Sequence, residues 1–216
     1  MTKIEENNIE LQNILELINN LPEDNRNTDL INWITNPTTA TLIIPEGTTT
    51  IGDAAFRNIY SLSSVQFPRT LTTINAQAFR GCTNLAGEID LKNVVTVYSA
   101  AFRDSAKIAS LNMGNKLEDI RDTAFRGLTL ITELTFPGTL NKILSNAFYG
   151  CTALKTVTFV KGNKDYPTGG IAADVFSGCT ALTDIYVYWA QGQVANAPWG
   201  APSGCKIHYT DATVTV

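Results

Sequence analysis

An Ala-Phe pair that returns at one fixed interval along the chain constrains the fold more than any other feature of the sequence. A period of roughly 20–50 residues is typical of proteins that stack one structural unit many times. Successive Phe residues are separated by 23, 23, 23, 23 and 28 positions. The spacing therefore predicts a repeat architecture within one domain. The pairs are Ala55-Phe56, Ala78-Phe79, Ala101-Phe102, Ala124-Phe125 and Ala147-Phe148, followed by Val175-Phe176.

Apolar residues also recur at fixed distances on both sides of each Phe. An aliphatic residue lies five positions before it and another lies six positions after it. An alternating segment such as Val157-x-Phe159 follows, which is typical of a short strand with one buried face. One unit cannot bury its apolar face alone, so we expect neighbouring units to stack around a continuous core. The stretch that leads to each Phe has nearly helical apolar spacing, and we expect a turn or a short helix there.

The sequence departs from the 23-residue period in two places, by a one-residue slip and by a five-residue insertion. The repeat that contains Ile89 and Leu91 is out of phase by one residue and regains its phase before Phe102. The five extra residues before Phe176 fall within residues 161–170 (KGNKDYPTGG). This composition predicts a surface loop.

Composition excludes several classes of function. The chain is 44% hydrophobic and 17% charged, which is too apolar for an intrinsically disordered protein. Its net charge of −4 argues against nucleic-acid binding through bulk charge. The apolar runs are only a few residues long, so we predict no membrane span. The residues after Met1 lack the basic and then apolar pattern of a secretory signal.

The repeated unit reads Leu-x-x-Val-x-Phe-Pro and then Ile-x-x-x-Ala-Phe-x-x-Cys. Over about residues 40–190 it resembles the BspA-type leucine-rich repeat. Residues 195–201 and Ile207-His208-Tyr209 are similar to the ends of such arrays, where a last strand and a cap are expected. The resemblance implies a leucine-rich-repeat solenoid of short parallel strands joined by turns or short helices. It also implies adhesion or macromolecular recognition without enzymatic activity, in bacterial or protozoan surface proteins or in bacteriophage structural proteins.

We divide the chain into three predicted segments. Residues 1–38 form an N-terminal helical cap or oligomerisation segment, residues 39–190 form the solenoid, and residues 191–216 form a C-terminal cap. Two interpretations of the first segment stay open, an amphipathic helix folded back over the first repeat or a short coiled coil that oligomerises the chain. The segment also resembles the leading helices of phage tail and fibre proteins. Its heptad-spaced apolar residues, the predicted oligomerisation contacts, are Ile4, Leu11, Ile14, Ile18 and Leu21.

The sequence offers few groups for catalysis, and we predict that the protein is not an enzyme. Cys82, Cys151 and Cys179 each follow a Phe by three residues, which predicts buried thiols and no disulfide framework. Cys205 and His208 form a lone Cys-x-x-His pair, which is half of a zinc site, so we predict no metal and no cofactor. His208 is also the single histidine, and a position in the last strand argues against a catalytic relay.

An arginine follows the Phe in four successive repeats, at Arg57, Arg80, Arg103 and Arg126. One interpretation is a row of guanidinium groups that binds an anion along one flank. The other is a set of solvated side chains whose stems cover the core, with Asp53, Asp104 and Asp122 balancing their charge.

The outward positions of the predicted strands form the candidate binding surface. They alternate with the buried positions, so they lie together on one face of the solenoid. Amide and hydroxyl groups beside aromatic rings suit a glycan or a protein partner, although an ordinary solvated face has the same pattern. The candidate ligand-binding residues are Ser64, Gln66, Glu88, Asp90, Ser110, Asn112, Glu133, Thr135, Thr156, Thr158, Asp184, Tyr186 and Tyr188.

The leading hypothesis is a non-catalytic adhesion module that binds a cell-surface protein or glycan through this strand face. The alternative is a structural virion component, such as a phage tail or fibre protein, whose N-terminal helix binds virion proteins or further copies of the chain. Both hypotheses place the chain on the outside of a cell or virion. The missing secretory signal favours the virion if Met1 is the native start and leaves the two hypotheses equal if it is not.

Overall fold

The chain winds as a solenoid in which strands of successive repeats pair in parallel. The structure, a computed structural model, describes residues 41–162, 167–210 and 212–216. The predicted N-terminal helical segment, with its oligomerisation contacts, lies outside these ranges, as do residues 163–166 of the predicted surface loop. The three domain bounds therefore stay predictions.

The longer strands, as predicted, line one side of the solenoid. The first two sets that pair by hydrogen bonds are β1-β3 and β5-β7, and the third is β9-β11-β13-β14-β15, where β15 alone runs antiparallel. A β-bulge at Gly87 and Glu88 absorbs the one-residue slip of the repeat around Ile89, which confirms that irregularity. The assignment of residues 191–216 as a cap stays a prediction. The long-strand side comprises β1 (Thr41–Ile43), β3 (Ser64–Gln66), β5 (Gly87–Asp90), β7 (Ile108–Asn112), β9 (Glu133–Phe136), β11 (Thr156–Phe159), β13 (Asp184–Tyr186), β14 (Lys206–His208) and β15 (Thr213–Thr215).

A second ladder, of two-residue strands, lies on another side of the solenoid and was not predicted. Each strand ends with the aliphatic residue five positions before a column Phe, and that residue points into the core. The strands pair in parallel and in register, for example Ile74 with Val97. The short-strand ladder comprises β2 (Thr50–Ile51), β4 (Thr73–Ile74), β6 (Thr96–Val97), β8 (Asp119–Ile120), β10 (Lys142–Ile143) and β12 (Gly170–Ile171).

The six recurring Phe side chains stack into one buried column, as the period predicts. Neighbouring ring centroids are 5.2, 5.3, 5.5 and 5.2 Å apart from Phe56 to Phe148. The last step, from Phe148 to Phe176, widens to 6.1 Å, and it is also the step with the longest spacing along the chain. Each column Phe also donates its backbone N–H to a carbonyl of the following repeat, at 2.7–3.1 Å. The same residue therefore joins neighbouring repeats through both its ring and its backbone.

The turn around each column Phe is not helical, so the short helix allowed for above is wrong within the described residues. In five repeats the residue two positions before the Phe has a φ of 53° to 59°. A right-handed helix needs a φ near −63°, so these residues interrupt any helix. The apolar spacing that looked helical comes instead from a two-residue strand followed by a tight turn. The five residues are Ala54, Gln77, Ala100, Thr123 and Asn146.

Small polar side chains satisfy the carbonyls of the column. The thiols of Cys82, Cys151 and Cys179 donate to the carbonyl of the column Phe in the preceding repeat, at 3.0, 3.4 and 3.2 Å. The hydroxyl of Ser105 occupies the same position and donates to Phe79 at 2.8 Å. All four cysteines of the chain are buried and free, which confirms the predicted thiols. A buried carbonyl without a donor would cost about 1–3 kcal/mol, so these residues stabilise the stack.

At its C-terminal end the core passes into a cluster of large aromatic rings. Trp189 and Trp199 are fully buried, with centroids 6.2 Å apart in an edge-to-face arrangement. Phe159 contacts both, at 5.1 and 6.4 Å between centroids. The backbone carbonyl of Trp199 accepts the N–H of Phe176. Trp199 thus continues the ladder where the Ala-Phe pair is missing.

Replacing Phe102 with alanine should lower the free energy of unfolding by about 3–5 kcal/mol, because its fully buried ring stacks between two others. Urea unfolding followed by circular dichroism measures the loss. Leu130→Ala, at an exposed position, should change it by less than about 0.5 kcal/mol. Equal losses in the two variants would contradict the stacked column.

Replacing Gly138 with alanine should also destabilise the fold, for a different reason. A Cβ at Gly138 would overlap the Gly162 backbone in the next turn, although the φ of Gly138 suits any residue. Forcing the two turns apart should cost about 1–3 kcal/mol, and thermal unfolding measures this. Gly52→Ala is the matched control, because no atom lies within 4 Å of its Cβ. A Gly138→Ala variant as stable as Gly52→Ala would show that the turns are not in contact.

Candidate recognition surface

Two rows of outward side chains cross the long-strand side, because alternate residues of a strand face opposite ways. Strand register places Glu133, Thr156, Asp184 and Lys206 side by side in the first row. The second row runs in parallel two residues later along each strand. On β9, β11, β13 and β14 it consists of Thr135, Thr158, Tyr186 and His208.

The structure brings the predicted ligand-binding residues together on this side of the molecule. None of the thirteen is buried, and twelve lie within strands, whereas Tyr188 follows the end of β13. The rows also include residues that the prediction left out, among them Ile43 with 53% of its surface exposed, Lys206 and His208. What the surface binds stays a prediction.

A Tyr-His-Asp cluster forms at the C-terminal end of the rows. The rings of Tyr186 and His208 stack with centroids 4.4 Å apart and planes within 8°. The Nε2 atom of His208 lies 2.8 Å from Oδ1 of Asp184, and its Nδ1 atom lies 3.5 Å from the hydroxyl of Thr213. Tyr186 keeps 44% of its surface exposed. Three neighbouring strands thus hold one accessible aromatic ring in a fixed orientation.

The contact between Tyr186 and His208 was not predicted from the sequence. The alternation around Ile207 indicated a last strand, and Ile207 follows Ile185 by close to one repeat period. That spacing would have placed His208 beside Tyr186 on the same face. Nothing in the sequence indicated Asp184 as the partner of the imidazole, because the pairing depends on the register of β13 and β14.

The contacts of this cluster lower the pKa of the Asp184 carboxyl. Hydrogen bonds from His208, the largest cause, and from Thr183 lower the pKa of Asp184 below its ordinary value. The nearby charges of His208 and Lys206 act in the same direction. The carboxyl is therefore held in its ionised, hydrogen-bond-accepting form.

The Cys-x-x-His pair does not form half of a metal site. Cys205 is buried, whereas His208 lies on the outward face of β14, so the two side chains point to opposite sides of the sheet. Burial, with a smaller contribution from the charge of Asp184, raises the pKa of Cys205 to about 11. Burial, and next the hydrogen bond with Cys179, raises the pKa of Cys151. In the described ranges no group of three or more His, Cys, Asp or Glu residues is arranged to hold a metal ion.

The four arginines each meet a local partner or lie half-buried along the turns. Arg80 donates to Gln77 at 3.2 Å, and Arg103 pairs with Asp104 at 3.2 Å. The guanidinium of Arg126 lies 4.7 Å from the centroid of the Tyr149 ring. These contacts favour the structural interpretation of the arginine row over an anion site. Of the three aspartates expected to balance its charge, Asp104 is paired with one of these arginines.

An open pocket of about 480 Å³ borders the second row. Thr135 forms part of its wall, with Val160 and Glu118. The backbones of Gly138 and Gly162, which lie close together, also line the pocket. The pocket therefore extends the outward rows toward the turns that follow β9 and β11.

The recurring unit of this chain matches a known family of repeats. The model of the BspA type leucine-rich repeat region matches the chain in six copies, over residues 49–183 and 96–209. The chain belongs to the BspA-type leucine-rich repeat family. This membership confirms the resemblance seen in the repeat consensus. No helix of the described part of this BspA-type chain has the length and apolarity needed to cross a membrane.

Two solved structures resemble the fold of this BspA-type protein. A leucine-rich repeat protein from Bacteroides ovatus matches with a TM-score of 0.65 and 19% identity, over 80% of this chain and 42% of its own. The leucine-rich repeat protein of T. pallidum matches with a TM-score of 0.61 and 22% identity, over 76% of this chain and 78% of its own. This chain thus spans less than half of the Bacteroides ovatus protein. A comparison with curated proteins finds no significant match.

Replacing His208 with alanine should raise the pKa of Asp184 toward its ordinary value, because the hydrogen bond from the imidazole contributes most to lowering it. A carboxyl with a lowered folded-state pKa stabilises the fold above its unfolded pKa and loses that contribution as pH falls through the folded value. The His208→Ala variant should therefore lose less stability on acidification.

A carbon-13 NMR titration of the carboxyl groups measures the shift. Lys206→Ala is the matched control and should raise the pKa of Asp184 less, because its charge is the smallest of the contributions. An Asp184 titration that is the same in the wild type and in His208→Ala would show that the hydrogen bond is absent in solution.

Proposed function

We propose that this BspA-type protein is a non-catalytic recognition module that binds a cell-surface protein or glycan through its long-strand side. The observation that carries the proposal is the pair of outward rows, which present polar groups in parallel over a stacked core. A solenoid of this kind offers an extended surface whose outward residues vary without changing the core.

The other sides of the solenoid are less suited to a partner. Three of the four arginines of the turns, Arg80, Arg103 and Arg126, meet Gln77, Asp104 and Tyr149 within the chain. On the short-strand ladder, Asp119 pairs with Arg121 and Lys142, both at 3.3 Å. The long-strand side instead carries partly or fully exposed threonines and the accessible ring of Tyr186.

A module of this kind acts outside the cell. Family membership supports a surface role, and we extend it to adhesion at a cell surface. The alternative role in a virion depends on residues 4–21, outside the described part of the chain, and stays a prediction.

Arginine substitutions on the rows should weaken binding to a partner strongly. The double variant Thr135→Arg/Thr158→Arg adds two bulky charges on neighbouring strands of the second row. Arrays of extracellular proteins and of glycans, probed with wild type and variant, measure the effect. We expect the signals of the wild-type protein to fall at least about tenfold, since a substitution at the centre of an interface removes its anchoring contacts.

The matched control is Thr129→Arg/Thr152→Arg, which makes the same change at two exposed threonines of the turns. This control should bind as the wild type does. Binding that survives in the row variant, or that is lost equally in the control, would contradict the long-strand side as the recognition surface.

A further inference from the structure

We propose that the exposed face of the Tyr186 ring is the stacking surface of a subsite for a neutral saccharide. The inference rests on the proposed function, because it names the ligand class and the anchoring residue of the same long-strand side. It depends on three features of the molecule. The Tyr186 ring is held in a fixed orientation, the side chains next to its open face are short, and those side chains carry hydroxyl groups.

The ring is braced from one side by two further strands. His208 on β14 covers one face of Tyr186 at 4.4 Å. Asp184 fixes the imidazole from its own strand, β13, through a 2.8 Å hydrogen bond, and Thr213 on β15 lies 3.5 Å from the other ring nitrogen. A ring whose orientation is fixed before binding loses little conformational entropy when a ligand packs on it. Tyr186 is thus held in place although 44% of its surface is exposed.

The opposite face of the Tyr186 ring borders shorter side chains. The register partner of Tyr186 on that side is Thr158, and the next residue of the row is Thr135. Both side chains are far shorter than that of a tyrosine, so the Tyr186 ring projects beyond them. We call the exposed ring face of Tyr186 the wall, and the surface formed by Thr158 and Thr135 at its base the shelf. Neighbouring strands lie about 4.8 Å apart, so the shelf of two threonines is about 10 Å wide. A flat six-membered ring fits against such a wall.

The surroundings of the wall suit a saccharide better than a protein. Of the four outward positions on β9 and β11, three are threonines and the fourth is Glu133. Their hydroxyls both donate and accept hydrogen bonds, as sugar hydroxyls do. The C–H groups on the face of a sugar carry partial positive charge and pack on the negative face of an aromatic ring. A protein anchor instead needs a pocket of apolar side chains that excludes water, and these two strands present none outward.

The charge next to the Thr158–Thr135 side of the ring disfavours an acidic sugar there, because the cations of this surface lie elsewhere, with Lys206 beyond the ring on β14 and Lys161 in the pocket wall. Glu133 is the charged outward residue of β9 and β11, and it is an anion. An acidic sugar requires a guanidinium or ammonium group as a partner, and would meet a carboxylate on these strands. The open pocket begins at Thr135, at the far side of the shelf, so a chain of sugars bound at Tyr186 extends toward it.

An array of immobilised neutral and acidic oligosaccharides tests the ligand class. It carries hexasaccharides of glucose, mannose, galactose and N-acetylglucosamine beside heparin and polysialic acid. We expect binding to at least one neutral hexasaccharide and none to the two acidic polymers. Absence of binding to every neutral hexasaccharide, or binding to the acidic polymers alone, would overturn the inference.

Titration calorimetry with the bound hexasaccharide then tests the residue. Tyr186→Ala should weaken binding about tenfold or more, as expected when an anchoring residue is truncated. Tyr186→Phe keeps the ring and should stay within about threefold of the wild type, since stacking depends on the ring face. Tyr149→Ala is the matched control, because it removes a tyrosine of similar exposure, 39%, from the arginine flank. Equal affinity of Tyr186→Ala and the wild type would also overturn the inference.

His208 is a positioning residue in this scheme, since it acts through Tyr186. His208→Ala should weaken binding several-fold, and His208→Phe, which keeps a flat ring against Tyr186, should restore it. If His208→Phe binds as weakly as His208→Ala, then the stacking of a flat ring on Tyr186 does not account for the role of His208.

The outcome also separates this inference from the proposed function. If Thr135→Arg/Thr158→Arg strongly weakens binding to a protein while no neutral sugar binds, the saccharide subsite is wrong and the recognition surface stands. If that variant changes no binding at all, both are wrong.

Discussion

Each repeat completes its structure only through the next one, and the column phenylalanine is where this dependence is concentrated. Its ring needs a ring on each side to be removed from water, and its backbone N–H needs a carbonyl one repeat further along. Neither requirement can be met within a single repeat. The thiols and the hydroxyl that donate to the column carbonyls add a third link of the same kind. The stack is therefore cooperative, and a defect at Phe102 disturbs neighbours on both sides.

This arrangement leaves the outward residues unconstrained by the core. Rows that carry Gln66 or Asn112 in early repeats carry Tyr186 and His208 in later ones, on the same backbone. The aromatic cluster lies where the core also changes, since the buried rings of Trp189 and Trp199 pack there against Phe159. The C-terminal repeats thus differ from the others both inside and outside. A surface that varies over a constant interior is what recognition requires.

The sequence was sufficient for the features that depend on periodicity, and insufficient for those that depend on a few torsions or on register. The column, the long strands and the outward side chains all recur with the repeat period and were predicted. The short-strand ladder was not, because two residues such as Thr73-Ile74 are too few to show an alternation. The turn was mistaken for a possible helix because Ala54 and Thr123 are not residues that usually adopt a positive φ. The pairing of His208 with Asp184 needed the register of two strands, which single-residue patterns do not contain.

The left-handed turn residues have a consequence for how the scaffold can be redesigned. Ala54 is open to solvent, yet its positive φ imposes a backbone cost of roughly 1–2 kcal/mol on most side chains placed there. Exposure alone is therefore a poor guide to which positions tolerate randomisation. A combinatorial library built on this protein would place its diversity on the two rows and restrict each left-handed turn position to the residues that the repeats already use there.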